Sequence, residues 1–221
     1  MPRPLRLGVL ASGSGSNLQA ILDACAARRI PAEVAVVICN VPDARALQRA
    51  RDARVPALAL PHQEHARRED YDARLVKELR ARGVELVCLA GFMRIVTSVL
   101  LSAFPQRVIN IHPSLLPAFP GMHGVRQAFR AGVRVSGCTV HFVDAGTDSG
   151  AILIQAAVPV LDGDTEESLA ARILAQEHRI YPRAIQLIAE GRVQVEGRRV
   201  RVSGEQPDAA SAIASPPVED P

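Results

Sequence analysis

The stretch Leu5-Arg6-Leu7-Gly8-Val9-Leu10-Ala11-Ser12-Gly13-Ser14-Gly15-Ser16-Asn17-Leu18-Gln19-Ala20-Ile21-Leu22 decides the fold. A short apolar run passes through a loop of glycine and serine into Asn17 to Cys25, where apolar residues recur at helical spacing. Strand, small-residue loop, helix is the opening of a βαβ unit. Free backbone amides in such a loop, at a helix N-terminus, suit an anion and a phosphate above all. The loop does not match a dinucleotide or triphosphate motif. G-x-G-x-x-G would need glycine where Leu18 stands, and no Walker lysine follows. Gly15, Ser16 and Asn17 are the candidates to hold a terminal monophosphate. On the loop alone, a plain tight turn with Asn17 as helix N-cap is an equal alternative.

Outward from this unit the chain keeps alternating. Val34 to Cys39 is a β-branched run, Ala44 to Ala53 a helix, Ala57 to Leu60 a short strand and Arg67 to Arg82 a long amphipathic helix stopped at Gly83. Val84 to Leu89 and Val108 to Ile111 complete a first half that reads as a doubly wound parallel sheet. Val135 to Val143 and Ile152 to Val160 are longer β-rich runs around Asp144-Ala145-Gly146-Thr147-Asp148-Ser149-Gly150, an expected antiparallel pairing about a functional-length loop. Thr165 to Ala189 is the longest helical pattern, and Pro182 inside it predicts a kink or a division near Tyr181. Val193 to Glu196 and Arg199 to Val202 read as a small hairpin, and the Pro, Ala, Ser and acidic residues of 203–221 as a disordered tail.

Composition narrows the function classes. The 221 residues are 48% hydrophobic, enough for a sizeable core, but only 3% aromatic with no tryptophan, so stacking platforms for single-stranded nucleic acid are scarce. A formal charge of +3 with scattered arginines gives no basic block, and nucleic acid is not an expected partner. Cys25, Cys39, Cys88 and Cys138 form no C-x-x-C pair and read as reduced, mostly buried residues, so neither zinc nor another metal is expected. Without a leader-like apolar core or a membrane-length run, the expected compartment is the cytoplasm, with no membrane partner.

The segment with chemistry in it is Asn110-Ile111-His112-Pro113-Ser114-Leu115-Leu116-Pro117. If Val108 to Ile111 is a strand, period-two alternation sends Asn110 and His112 to one side, within reach of one reacting atom. Pro113 ends the strand, and carboxyl ends of strands are where open α/β sheets keep their chemistry. An isolated N-x-H is more often a structural turn cap, so the pair needs support from elsewhere. Leu89-Ala90-Gly91-Phe92-Met93-Arg94-Ile95-Val96 offers one source: a loop of apolar side chains around one cation could line a slot for a flat, partly polar ring, although Met93 and Ile95 as ordinary core is the commoner outcome. Asp148 offers another, because a carboxylate beside His112 would favour the imidazolium.

Taken together, these stretches resemble the phosphoribosylglycinamide formyltransferase family, the folate-dependent transformylases of purine synthesis. Those that match are Ala11 to Ala20, Leu89-Ala90-Gly91-Phe92-Met93-Arg94, Asn110 to Pro117, and Gly137-Cys138-Thr139-Val140-His141-Phe142-Val143 leading to Asp148-Ser149-Gly150. The resemblance implies a Rossmann-like α/β fold: a doubly wound, mostly parallel sheet with helices on both faces, an antiparallel extension in the C-terminal half and a long C-terminal helix. It implies a catalytic trio of Asn110, His112 and Asp148, ribonucleotide contacts at Gly15, Ser16, Asn17 and Glu177, and a folate pocket formed by Arg68, Met93, Arg94, Ile95, Val96 and Asn110. The implied co-substrate is 10-formyltetrahydrofolate, the implied acceptor phosphoribosylglycinamide, and no metal takes part. His123 is given a minor substrate-side role. Residues 1–202 are expected to form one formyltransferase domain, with a phosphate-binding half at 1–105 and a catalytic and folate-binding half at 106–202; a homodimer is compatible with it. A formyltetrahydrofolate hydrolase, or a formyltransferase with another acceptor, is the alternative. The chain departs from the family pattern at Thr147, a position usually apolar, at Ala118, often basic, and at Ala151, often proline.

Overall fold

A computed structural model describes residues 3–204 and Ser215. The first strand, β1 (Leu5–Ala11), explains why its run is apolar throughout: Leu7, Val9 and Ala11 enter one buried cluster and Leu10 the other, so the strand is covered on both faces. It is followed by α1 (Ser16–Ala26), β2 (Ala32–Cys39), α2 (Arg45–Asp52), β3 (Ala57–Ala59), α3 (Arg68–Ala81), β4 (Leu86–Leu89), α4 (Ser98–Ala103), β5 (Val108–His112), α5 (Gly124–Arg130), β6 (Val135–Phe142), β7 (Ile152–Pro159), α6 (Glu166–Ala189), β8 (Val193–Glu196) and β9 (Arg199–Val202). Seven strands form one sheet in the order β3-β2-β1-β4-β5-β6-β7, parallel from β3 to β5 and antiparallel at β6 and β7. This is the doubly wound sheet with an antiparallel extension that the sequence predicts.

Helices α1, α2 and α6 cover the face that carries Leu7 through Leu18, Ile21, Ala46, Ile173 and Ile185. Helices α3 and α4 cover the other through Tyr71, Leu75, Leu79 and Leu100. The chain leaves β1 in one direction toward β2 and later in the other toward β4, so the switch point of the sheet lies between β1 and β4. A crevice opens there beyond the strands' carboxyl ends, the usual ligand position in such sheets. The four cysteines are unpaired, and burial raises the thiol pKa of Cys25 to about 11 and of Cys138 to about 12.

Three expectations change. The division at Pro182 does not occur: α6 is one helix through it. Proline denies one N–H to the His178 carbonyl. Against that single loss, Tyr181, Pro182, Ala184 and Ile185 are all buried, and the Tyr181 hydroxyl donates to Leu89 O and Ile109 O at 3.0 and 3.2 Å, which fastens the helix to β4 and β5. Asn17 is not an N-cap; Gly15 takes that position in the left-handed region (φ 69°), and Asn17 uses its side chain elsewhere. Helices α4 and α5, of six and seven residues, stand where the sequence predicts none, since a periodicity signal needs a longer window. Most of the tail after Val202 lies outside the described residues. Among those described, no helix is long and apolar enough to cross a membrane.

Candidate active site

Two cavities open at the carboxyl edge of the sheet and share Gly91 and Met93 in their walls. The smaller, about 200 Å³, is formed by Ser12 to Asn17 with Ala90. Ser12 ties the β1 loop to the β4 loop: its N–H donates to Gly91 O at 3.1 Å, and its hydroxyl accepts from Met93 N at 2.8 Å while donating to Asn40 Oδ1 at 2.6 Å. Gly15, Ser16 and Asn17 all line this cavity. Asn17 Nδ2 donates to Glu177 Oε2 at 2.7 Å, joining the fourth ribonucleotide candidate to the loop across 160 residues. Glu177 is 7% exposed. Burial raises its pKa, with the Asn17 bond as a partial offset.

The larger cavity, about 650 Å³, is of a size that holds a drug-sized ligand. Arg68 and Met93 to Val96 all line it, together with Asn110, His112 and Asp148. Met93, Ile95 and Met122 are 60%, 58% and 61% exposed. Met93 and Ile95 are therefore not core residues, and all three present uncovered apolar surface that a flat ring could cover. Arg94 lies over the Tyr71 ring, 5.4 Å from its centroid. Asp72 accepts from Thr97 N and Oγ1, which holds the start of α4 against α3 just beyond the Met93 loop.

On the wall opposite this loop the antiparallel register builds the polar centre. Asn110 stands across from His141 and His112 across from Thr139. His112 Nδ1 lies 3.3 Å from Asp148 Oδ2, and its Nε2 donates to Phe119 O at 2.9 Å. Both neighbours are acceptors, so two ring N–H donors satisfy both contacts. Asp148 also accepts from Gly121 N at 2.8 Å, and its other oxygen is 3.5 Å from His141 Nε2. Burial opposes its charge, but the hydrogen bonds from His141 and Gly121 and the nearby imidazoles outweigh that and hold the carboxyl below its ordinary pKa. Asn110 Nδ2 is 3.2 Å from His141 Nε2, while His141 Nδ1 donates to Phe142 O at 2.9 Å. Asn110 keeps at least one amide hydrogen for a ligand.

Glycines at 124 and 150 allow close approach around the site, tight at the first and obligatory at the second. A Cβ on Gly124 would sit 3.2 Å from His112 Nε2, and one on Gly150 only 1.8 Å from Phe142 O. His123 lines the large cavity at the N-cap of α5. Of the departures from the family pattern, Thr147 is in the cavity wall, whereas Ala118 and Ala151 engage through their carbonyls, with Ser114 Oγ and Phe142 N. His141, the Gly121 amide and the Phe119 carbonyl also belong to the site, and nothing in their local sequence singles them out. His141 could have been found only from the β5/β6 register, which pairs residues 31 apart.

Residues 5–185 match the family model described as formyl transferase. The chain belongs to the formyl transferase family. This formyl transferase is 42% identical over 202 residues to the phosphoribosylglycinamide formyltransferase of Escherichia coli (strain K12), covering 91% of this chain and 95% of that one. The crystal structure of glycinamide ribonucleotide transformylase 1 from Symbiobacterium toebii superposes with a TM-score of 0.90 at 60% identity, covering 91% of this chain and 95% of the other. The trifunctional purine biosynthetic protein adenosine-3 of Drosophila melanogaster is 50% identical over 191 residues, 86% of this chain, which spans 14% of that much longer protein. Among formyl transferases the chain thus stands with the phosphoribosylglycinamide formyltransferases.

Proposed function

We propose that the protein transfers the formyl group of 10-formyltetrahydrofolate to the glycinamide amine of phosphoribosylglycinamide, giving the N-formyl ribonucleotide and tetrahydrofolate in purine biosynthesis. One observation carries the reading: the His112–Asp148 contact stands in a cavity with apolar walls that meets a glycine-rich anion loop at Gly91 and Met93. A ribonucleotide held by Gly15, Ser16 and Asn17, with Glu177 at its sugar, would extend its amine through this junction. The pteridine of the donor would lie among Met93, Arg94, Ile95, Val96 and Asn110, with Arg68 toward the carboxylate end. We assign the reaction to residues 1–202; the large cavity draws on both 1–105 and 106–202, so neither half carries it alone.

The amine nitrogen attacks the formyl carbon, and the carbonyl oxygen takes up the displaced electron pair. Asn110 donates an amide hydrogen to that oxygen. His112 donates the Nε2 hydrogen that Phe119 O otherwise accepts. Asp148 orients His112 through Nδ1 and, with intervening water, passes the proton from the attacking amine to the departing folate nitrogen. The bond from the formyl carbon to that nitrogen then breaks. No covalent enzyme intermediate is needed.

The test is to follow a labelled formyl group from 10-formyltetrahydrofolate with phosphoribosylglycinamide present or absent. Label on the ribonucleotide amine supports the assignment. Free formate released at the same rate with or without acceptor identifies a hydrolase instead.

A further inference from the structure

The small cavity has no lysine or arginine in its lining, although its proposed occupant is a phosphate dianion. A cation stands directly behind it. Arg49, on α2, donates from Nε to Ser14 O at 2.9 Å and from Nη1 to Gln19 Oε1 at 3.0 Å, so one guanidinium binds both the loop and the first turns of α1. Three residues earlier, Ala46 N donates to Gly13 O at 3.1 Å. Helix α2 thus holds two consecutive loop carbonyls.

The consequence follows from peptide geometry. In a trans peptide the C=O of one residue and the N–H of the next point in opposite directions. Turning the Gly13 and Ser14 carbonyls toward α2 therefore turns the Ser14 and Gly15 N–H groups away from it. No residue of α2 lines the cavity, so away from α2 is the ligand side. The packing leaves little slack: a Cβ on Gly15 would stand 2.8 Å from Ala46 Cα and 3.4 Å from Arg49 Cδ.

We propose that Arg49 is a positioning residue for the substrate phosphate, holding the Ser14 carbonyl so that the loop amides face the anion and supplying from behind the positive charge that the lining lacks. This inference rests on the ribonucleotide reading of the loop. Arg49→Lys keeps the charge but cannot make the forked contact to Ser14 and Gln19, and Arg49→Met removes both.

Steady-state kinetics of Arg49→Met and Arg49→Lys would be measured with phosphoribosylglycinamide and with the corresponding riboside lacking the phosphate. Arg49→Met is expected to raise the KM for the ribonucleotide about tenfold, the scale of one charge-assisted hydrogen bond, with kcat and the KM for the formyl donor unchanged. Arg49→Lys should recover part of the loss, and with the riboside all three proteins should give the same kcat/KM. An unchanged ribonucleotide KM in Arg49→Met overturns the proposal, as does an equal loss with the riboside, which would mark a merely structural role. If the wild-type protein itself does not distinguish ribonucleotide from riboside, the phosphate reading of the loop fails and the proposal with it.

Discussion

Replacing Gly150 by alanine tests whether the position of Asp148 governs the rate, because the perturbation leaves every proposed catalytic group chemically unchanged. The new methyl carbon would stand 1.8 Å from Phe142 O and 2.8 Å from Phe142 C, backbone atoms that cannot swing aside. Ordinary contact begins at 3.4 Å, so this segment and β6 must part by the difference, about 1.6 Å. The strain falls two residues from Asp148, which already stands at φ 51° in the left-handed region and depends on a 2.8 Å bond from Gly121 and a 3.3 Å approach to His112. Misplacement by about 1 Å costs on the order of 10² in rate, so kcat should fall about a hundredfold. Overpacking should cost about 1–3 kcal/mol in stability. Affinity for the ribonucleotide, held at the other cavity, should hardly change. Steady-state kinetics, calorimetric titration with the ribonucleotide and thermal melting together read these three effects. A kcat within about threefold of wild type, roughly 0.7 kcal/mol in barrier, would refute the argument.

Two further substitutions probe charge. Asp148→Asn removes the carboxylate that stands 3.3 Å from His112 Nδ1 and should lower kcat by roughly 10²–10³. The Asp148 carboxyl is held below its usual pKa, so its stabilising contribution is whole above the unfolded value of about 3.9 and is lost as pH falls through the folded one. The melting-temperature gap between wild type and Asp148→Asn, open at pH 6, should therefore close with acidification through that window. Glu177→Gln has the opposite sign. Burial raises the Glu177 pKa, so its contribution is favourable below the unfolded value of about 4.3 and is lost as pH rises through the folded one. The glutamine variant should melt higher than wild type at pH 7.5 and lose that advantage toward pH 4, while its KM for the ribonucleotide rises; a lower melting temperature at pH 7.5 would contradict this.

The sequence made the sheet legible because β1, β2, β4 and β5 are buried on both faces and so read as continuous aliphatic runs. Period two was enough to put Asn110 and His112 on one wall. His141 was another matter, because its place beside Asn110 depends on a register between strands that no local pattern encodes. Phe119 and Gly121 contribute only backbone atoms, to which residue identity is nearly silent. Pro182 misled because local propensity speaks for one missing hydrogen bond, while the burial of Tyr181 and Ile185 that outweighs it is tertiary. On their own Met93 and Ile95 read sooner as core than as ligand wall, and their exposure on a cavity rim reverses that.

The central claim is that His112, held by Asp148, acts on the formyl group and not on substrate binding. Single-turnover transfer by His112→Ala, with both substrates saturating and the ribonucleotide dissociation constant measured on the same sample, tests it most directly. The account predicts a rate lower by at least about 10²-fold with the dissociation constant unchanged. A near-normal rate, or a loss confined to the dissociation constant, would contradict it.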